Sequence, residues 1–505
     1  MRSCSRHLLA FFLALCTLLC VGFNAADAAE GQAENLTGKD FFTHSTGFPG
    51  VECLYDGVGD WGVQAGQTSS LSMASDKGIA YLSIRFGRPY AAYTVTDDDT
   101  GTSHEWSPKY LHDFLDLEAL FGYVPKTITL HFNSGSAILY ELSAFSSGEL
   151  PDTVQRWEEP KDGETDLVLF SAHCDDEHLF FAGILPYYAG ERNYQVQLVY
   201  LTNHVAAGGY ERMHEALDGL WTAGVHNYPI WGEYYDYPVE NIGDAYRYFN
   251  AYGWPEEHMV GFAVEQLRRL KPTVAVGHDF NGEYGHGQHM VWADVLAKAS
   301  EASGDAAQYP ESTETYGAWD VPKTYIHLYE ENPIVMDWDQ PLNAFEGKTA
   351  WEVSMKAYRC HASQIADLQV ADWYFADNAT AASVVYYSPR EYGLYRTTVG
   401  EDVKKNDFFE NTTTYAELNG TATVLPTEPE ETSPADTTFP TEPSIPETMP
   451  PETLPQPQPQ PQTDTNDESS VVYPIWPFLV IAAAVVVAVV ALVAARKEKQ
   501  SEKII

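Results

Sequence analysis

Near residue 166 the apolar pattern of the chain changes, and the change dictates what the chain beyond it can form. Residues 167–172, Leu-Val-Leu-Phe-Ser-Ala, read as a buried strand, and 176–188 follow with helical spacing. The alternation then recurs. Residues 195–201, 273–276 and 324–329 read as strands, while 210–224, 256–270, 288–300 and 344–367 read as helices. Strands alternating with helices predict an α/β domain with a Rossmann-like, largely parallel sheet, here over residues 165–420. Function in such sheets gathers beyond the carboxyl ends of the strands. That rule points to the residues just after Phe170 and just after Val276.

Upstream the rhythm is different. Ile79-Ala80-Tyr81-Leu82-Ser83-Ile84-Arg85-Phe86 and Lys126-Thr127-Ile128-Thr129-Leu130-His131-Phe132 are short alternating segments, split by turn chemistry such as Asn133-Ser134-Gly135. Many short strands with little helical periodicity predict a β-sandwich over residues 30–160. Asp113-Phe114-Leu115-Asp116-Leu117, with Ser143-Ala144-Phe145-Ser146-Ser147-Gly148, loosely resembles discoidin-type jelly-roll domains. That resemblance implies sugar binding. A structural spacer accounts for the same residues, and no binding residues are assigned there.

Both ends of the chain read as targeting segments. Arg2 and Arg6 flank the start of an apolar run from Leu8 to Phe23, and Ala26-Asp27-Ala28 offers a small-x-small cleavage pattern. Residues 1–28 are therefore expected to be a signal peptide. Residues 421–470 are dominated by Pro, Thr and Glu and are expected to form a disordered stalk. Residues 473–495 carry no charge and precede Arg496, Lys497 and Lys499. They are expected to form a single transmembrane helix, with 496–505 as a cytoplasmic tail. This reading places the protein at the cell membrane, single-pass, with its folded domains extracellular.

Acidic residues number 72 against 29 Lys and Arg, a net charge of −43 that argues against nucleic acid as a partner. Beyond the signal segment only Cys53, Cys174 and Cys360 remain, an odd number that cannot complete a disulfide framework.

The two strand ends hold metal-ligand chemistry. The first carries Ser171-Ala172-His173-Cys174-Asp175-Asp176-Glu177, and the second runs from Gly277-His278-Asp279 through Gly282-Glu283-Tyr284-Gly285-His286-Gly287-Gln288-His289. These residues resemble the LmbE/PIG-L-type N-acetylglucosamine deacetylase family. The first segment matches its Ala-His-Pro-Asp-Asp-Glu signature with Cys174 in place of Pro. The second matches its His-Pro-x-His element, and Arg212-Met213-His214-Glu215 fits its Arg-x-x-Glu helix.

The resemblance implies that His173, Asp176 and His289 hold zinc and that Asp175 is the general base. It further implies that His286 and Tyr284 polarise the amide carbonyl and that Arg212 lines the sugar site. The donor types agree independently: two imidazoles and a carboxylate suit Zn²⁺ and leave a coordination position for water. Blander readings exist for each. Asp175 and Asp176 could simply cap a helix, His286 and His289 could be surface residues near a helix start, Arg212 and Glu215 could form an exposed i, i+3 pair, and Tyr284 could be packing. His278, His204 and His178 stay outside the ligand set. Two positions depart from the family pattern. Cys174 reads as a small apolar filler, with a thiolate ligand as the alternative. Gln288 stands where many relatives carry an Asp that can hold a catalytic imidazole protonated.

The expected function is a zinc-dependent hydrolase that removes acetyl from N-acetylated amino sugars at the cell surface. The alternatives are a non-catalytic glycan-binding adhesin, or a zinc hydrolase of another acylated substrate.

Overall fold

The computed structural model describes residues 31–59, 62–205, 209–365 and 379–423. The expected signal peptide, transmembrane helix, tail and all but the first residues of the stalk lie outside the described residues. The longest described helix, Gly287–Ala302, has 16 residues, short of the roughly 20 apolar residues a span requires. Among the described residues no helix is long and apolar enough to cross a membrane. The single C-terminal transmembrane helix, and the membrane and extracellular placement built on it, are therefore not supported and are dropped.

Residues before 150 form two antiparallel sheets. One has the order β1 (Phe42–Thr46), β3 (Ser69–Ala74), β8 (Thr127–Phe132), β5 (Tyr93–Asp97), β6 (Ser103–Trp106). The other has β2 (Val63–Ala65), β9 (Ala137–Phe145), β4 (Tyr81–Phe86), β7 (His112–Asp116). Side chains alternate between faces along a strand, and β3 and β4 bury every second residue. Leu71, Met73, Val95 and Leu130 from one sheet and Leu82, Ile84, Leu115 and Leu139 from the other share one core. This is a sandwich.

The second sheet has seven strands in the order β12 (Ile230–Tyr234), β11 (Val196–Thr202), β10 (Leu167–Ser171), β13 (Val274–Gly277), β14 (Lys323–His327), β16 (Glu391–Thr397), β15 (Pro333–Val335). The five from β12 to β14 are parallel. β16 and β15 add to the edge antiparallel, so the sheet is mixed and the largely parallel expectation is corrected. The return of the chain after residue 379 sets this direction, a tertiary event that no local period encodes.

Every residue of β10 and β11 is buried, as befits strands covered on both faces. Leu167, Leu169 and Leu198 share a core with α2 (Glu211–Thr222), while Val168, Phe170 and Val199 share one with α3 (Ile242–Ala251), α4 (Glu256–Leu270) and α5 (Gly287–Ala302). Full burial of each such side chain contributes about 1.5–3 kcal/mol. α1 (Asp176–Leu179) is shorter than its apolar spacing suggests. Gly183 adopts φ +98, and a Cβ there would lie 2.3 Å from Trp338. Residues 344–367 likewise do not make one helix. Thr349 and Glu352 form a capping box that starts α6 (Ala350–Tyr358) afresh, and α7 (Ala362–Ile365) is separate.

The sandwich and the mixed sheet touch through buried polar contacts. Arg85 pairs with Asp218, and His112 Nε2 lies 2.8 Å from His214 Nδ1.

Candidate active site

β11 and β12 lie to one side of β10, while β13 and β14 lie to the other, so the strand order reverses between β10 and β13. In open α/β sheets the ligand crevice sits at that reversal, beyond the carboxyl ends. Both polar segments arrive there. His173 Nδ1, Asp176 Oδ2 and His289 Nε2 form a triangle with sides of 3.3 Å (His173–Asp176), 3.1 Å (His173–His289) and 3.3 Å (His289–Asp176). All three residues are buried. Atoms each bonded at about 2.1 Å to one tetrahedral ion stand about 3.4 Å apart, so this donor set fits a divalent metal.

The outer nitrogens are held as well. His173 Nε2 donates to Gln288 Oε1 at 2.9 Å, and Gln288 Nε2 donates to the Tyr235 carbonyl at 2.8 Å. His289 Nδ1 donates to Glu283 Oε2 at 2.7 Å. The same buried carboxylate accepts from His278 Nδ1 at 2.7 Å and His327 Nδ1 at 2.6 Å. Such outer partners fix which ring nitrogen faces the metal. The Gln288 side chain thus holds the His173 ring rather than that of His286.

The electrostatics favour positive charge in the triangle. Burial opposes charge on Asp176, but the imidazoles of His289 and His173 hold its carboxyl well below the usual range. Burial also opposes charge on His289, yet the Asp176 and Glu283 carboxylates hold it at about 9. A bound divalent cation satisfies the same field as the protons it displaces.

Asp175 does not behave as a helix cap. It precedes α1 but its side chain makes no capping bond, and its backbone sits at φ 148. That conformation is uncommon for a residue with a Cβ and costs on the order of 1–3 kcal/mol. Asp175 Oδ1 instead accepts from Arg212 Nη2 at 2.8 Å, and the same nitrogen donates to the Cys174 carbonyl at 2.8 Å. Burial raises the Asp175 carboxyl and Arg212 pulls it back, leaving it at about 6. Arg212 therefore lies against Asp175, and Glu215 turns away to accept from Ser363 N and Oγ at 2.7 and 2.6 Å. The exposed-pair reading of Arg212 and Glu215 does not hold.

The His286 ring centroid lies 4.8 Å from those of His173 and His289. Its Nδ1 accepts the Gln288 backbone N–H at 3.3 Å, which leaves the proton on Nε2. Burial and the two neighbouring imidazoles push the ring down to about 2, so it is neutral. Tyr284, at φ 45, is 54% exposed with its ring 5.4 Å from His289. Cys174 is buried, with burial pushing its thiol well up and its Sγ directed to the Arg212 carbonyl at 3.5 Å. It acts as filler.

Two acids near the site went unassigned in the sequence. Glu283 sat within the Gly-Glu-Tyr-Gly stretch and carried no role. Asp236 follows β12, a strand the apolar pattern did not show; its carboxylate lies 3.4 Å from His173 Nε2, 3.4 Å from His204 Nδ1 and 3.7 Å from Arg212 Nη1. The signal available was an acidic residue just past a third parallel strand.

Residues 168–300 match the family described as PIG-L: GlcNAc-PI de-N-acetylase. A deacetylase of 1D-myo-inositol 2-acetamido-2-deoxy-α-D-glucopyranoside from Mycobacterium leprae is 29% identical over 211 residues, 37% of this chain and 66% of that relative. A second such deacetylase, from Saccharopolyspora erythraea, is 42% identical over 62 residues, 12% of this chain and 22% of the relative. The chain thus spans just under two thirds of the first of these relatives. Among solved structures, the N,N'-diacetylchitobiose deacetylase of Pyrococcus horikoshii aligns at 15% identity over 40% of this chain and 71% of its own, with a TM-score of 0.32. This chain carries a PIG-L/LmbE-family domain, and the relatives that match it are named as carbohydrate de-N-acetylases, hydrolases of an amide bond.

Proposed function

We propose that the protein is a zinc-dependent de-N-acetylase of N-acetylglucosamine-type amino sugars. One observation carries this reading: three buried donors within 3.1–3.3 Å of one another, with a second carboxylate, Asp175, next in the chain to Asp176 and not a donor. His173, Asp176 and His289 would hold the ion. When bound, it supplies Lewis acidity and brings water's pKa towards neutrality.

The remaining roles fall to the chain. Asp175, held at about 6, is ionised at neutral pH and accepts the proton of the attacking water. Protonated in turn, it returns that proton to the leaving amine. Neutral His286 presents Nε2–H to the oxyanion that develops on the amide carbonyl, and Tyr284 offers a second donor from the rim. Arg212 contributes by orienting Asp175 and keeping it charged. Beside the triangle stands an aromatic platform. Tyr237 stacks on Tyr248 at 4.2 Å, and Tyr252 stacks on Trp254 at 5.8 Å. The Tyr237 backbone N–H donates to Gln288 Oε1 at 3.2 Å, which ties this platform to the site. Half-exposed aromatic faces of this kind suit the apolar face of a sugar ring.

The test is acetate release from a panel that includes N-acetylglucosamine, chitobiose and an inositol-linked N-acetylglucosamine, with bound metal measured on the same sample. Zinc near one equivalent at this centre with acetate from at least one sugar supports the proposal. A zinc-replete protein that releases no acetate from any of them refutes it.

A further inference from the structure

One residue beyond Asp176 the chain buries a second set of metal-binding side chains that the reaction above does not use. Glu177 and His178 continue α1, and His361 lies between α6 and α7. All three are fully buried. Glu177 Oε1 lies 3.6 Å from His178 Nε2 and 3.7 Å from His361 Nε2, and one ligand atom from each residue falls within 4.8 Å of the others.

Glu177 Oε1, both ring nitrogens of His178 and both of His361 have no hydrogen-bond partner among the described residues. Buried polar atoms in native proteins nearly always find partners. The neighbouring centre shows the normal outcome, where one carboxylate, Glu283, satisfies three imidazoles. The Tyr200 hydroxyl approaches Glu177, yet neither it nor Glu177 Oε1 has a partner at normal hydrogen-bond geometry. Neutral imidazole is the ligating form. The spacing of 3.6–3.7 Å is close to the separation of about 3.4 Å for ligand atoms on one tetrahedral zinc. α2 also leaves room, because a Cβ at Gly219 would sit 2.7 Å from His178 Nε2.

We propose that Glu177, His178 and His361 bind a second divalent ion of the zinc type, separate from the one at His173, Asp176 and His289. Imidazole and carboxylate donors suit that metal. The second oxygen of Glu177 shows what the ion braces: Oε2 accepts the backbone N–H of Asp175 at 2.9 Å, the residue held at φ 148. His361 comes from a distant element, so one ion joins the strained Asp175 turn to the α6–α7 connection.

The experiment strips the full chain with chelator, reloads it with Zn²⁺ and measures metal per chain by mass spectrometry. The wild type should hold two ions, and His361→Ala and His289→Ala one each. A single ion that is lost in His289→Ala and kept in His361→Ala overturns the second site. A single ion with the opposite pattern supports it and removes the metal from the proposed reaction instead. Should His361→Ala fail to fold by circular dichroism, Glu177→Gln keeps the side-chain volume and an acceptor for Asp175. A Co²⁺ titration ending at two equivalents in the wild type and one in Glu177→Gln supports the site, and the same end point in both overturns it.

Discussion

Replacing Asp175 by Asn keeps the volume and the geometry and removes the proton acceptor. The structural cost can be worked out from its contacts. The Asn carbonyl oxygen still accepts Arg212 Nη2, bonded at 2.8 Å in the wild type. Arg212 also keeps the Cys174 carbonyl at 2.8 Å and Asp236 at 3.7 Å. What is lost is the charge of one bond, about 1–2 kcal/mol of stability. The catalytic cost is larger. General acid–base catalysis contributes on the order of 10²–10⁴ in rate, about 2.7–5.5 kcal/mol of barrier. Asp175 is not among the three donors of the triangle, so bound zinc should stay near the wild-type level. The assay is acetate release by wild type and Asp175→Asn, with zinc content and urea unfolding measured on the same samples. Turnover within about threefold of wild type at full zinc occupancy would refute Asp175 as the base.

Three further outcomes are expected. Glu283→Gln leaves three imidazoles with one carbonyl oxygen to share and should weaken zinc affinity by about 10–100-fold, measured by competition with a chelator; unchanged affinity would show that Glu283 does not orient His289. Arg212→Gln removes the charge that lowers Asp175, so the acidic limb of kcat/KM, where activity rises as the base ionises, should move up by about one pH unit or more; a limb that stays in place contradicts the pairing. In the sandwich, Asp113 is buried and accepts from Trp106 Nε1 at 2.8 Å and Tyr93 Oη at 3.2 Å, and burial raises it from 3.8 to about 7. The folded chain then holds a proton the unfolded chain lacks between those values, so this contribution is full below pH 3.8 and is lost as pH rises through about 7. Asp113→Asn should therefore be more stable than wild type at pH 8, by about 1–3 kcal/mol, with little difference near pH 4. Equal melting temperatures at pH 8 would count against this account.

Much of the site was legible because its signals are local. The apolar run of β10 ends at Ser171, the run of β13 ends at Gly277, and the ligating types follow each end directly. The resemblance to the LmbE/PIG-L family picked His173, Asp176 and His289 out of those segments as one set, and the alternation of strands and helices was enough to say that function would gather beyond the strand ends. Other features depend on which elements meet. β12 escaped notice because it is an edge strand with three of its five residues not fully buried, and Gly232 is required where a Cβ would lie 2.1 Å from the Leu201 carbonyl. Missing that strand meant missing Asp236. The partner of Arg212 was likewise set by packing: α2 lies across the end of β10, which puts the guanidinium on Asp175 rather than on Glu215 three residues along its own helix. The antiparallel edge of β16 and β15 and the convergence of His278, His289 and His327 on Glu283 follow from strand order. Periodicity records which face of an element is buried, but not what it is buried against. The ligand types were therefore written in the sequence, while their orientation and charge were decided only when the strands took their order in the sheet.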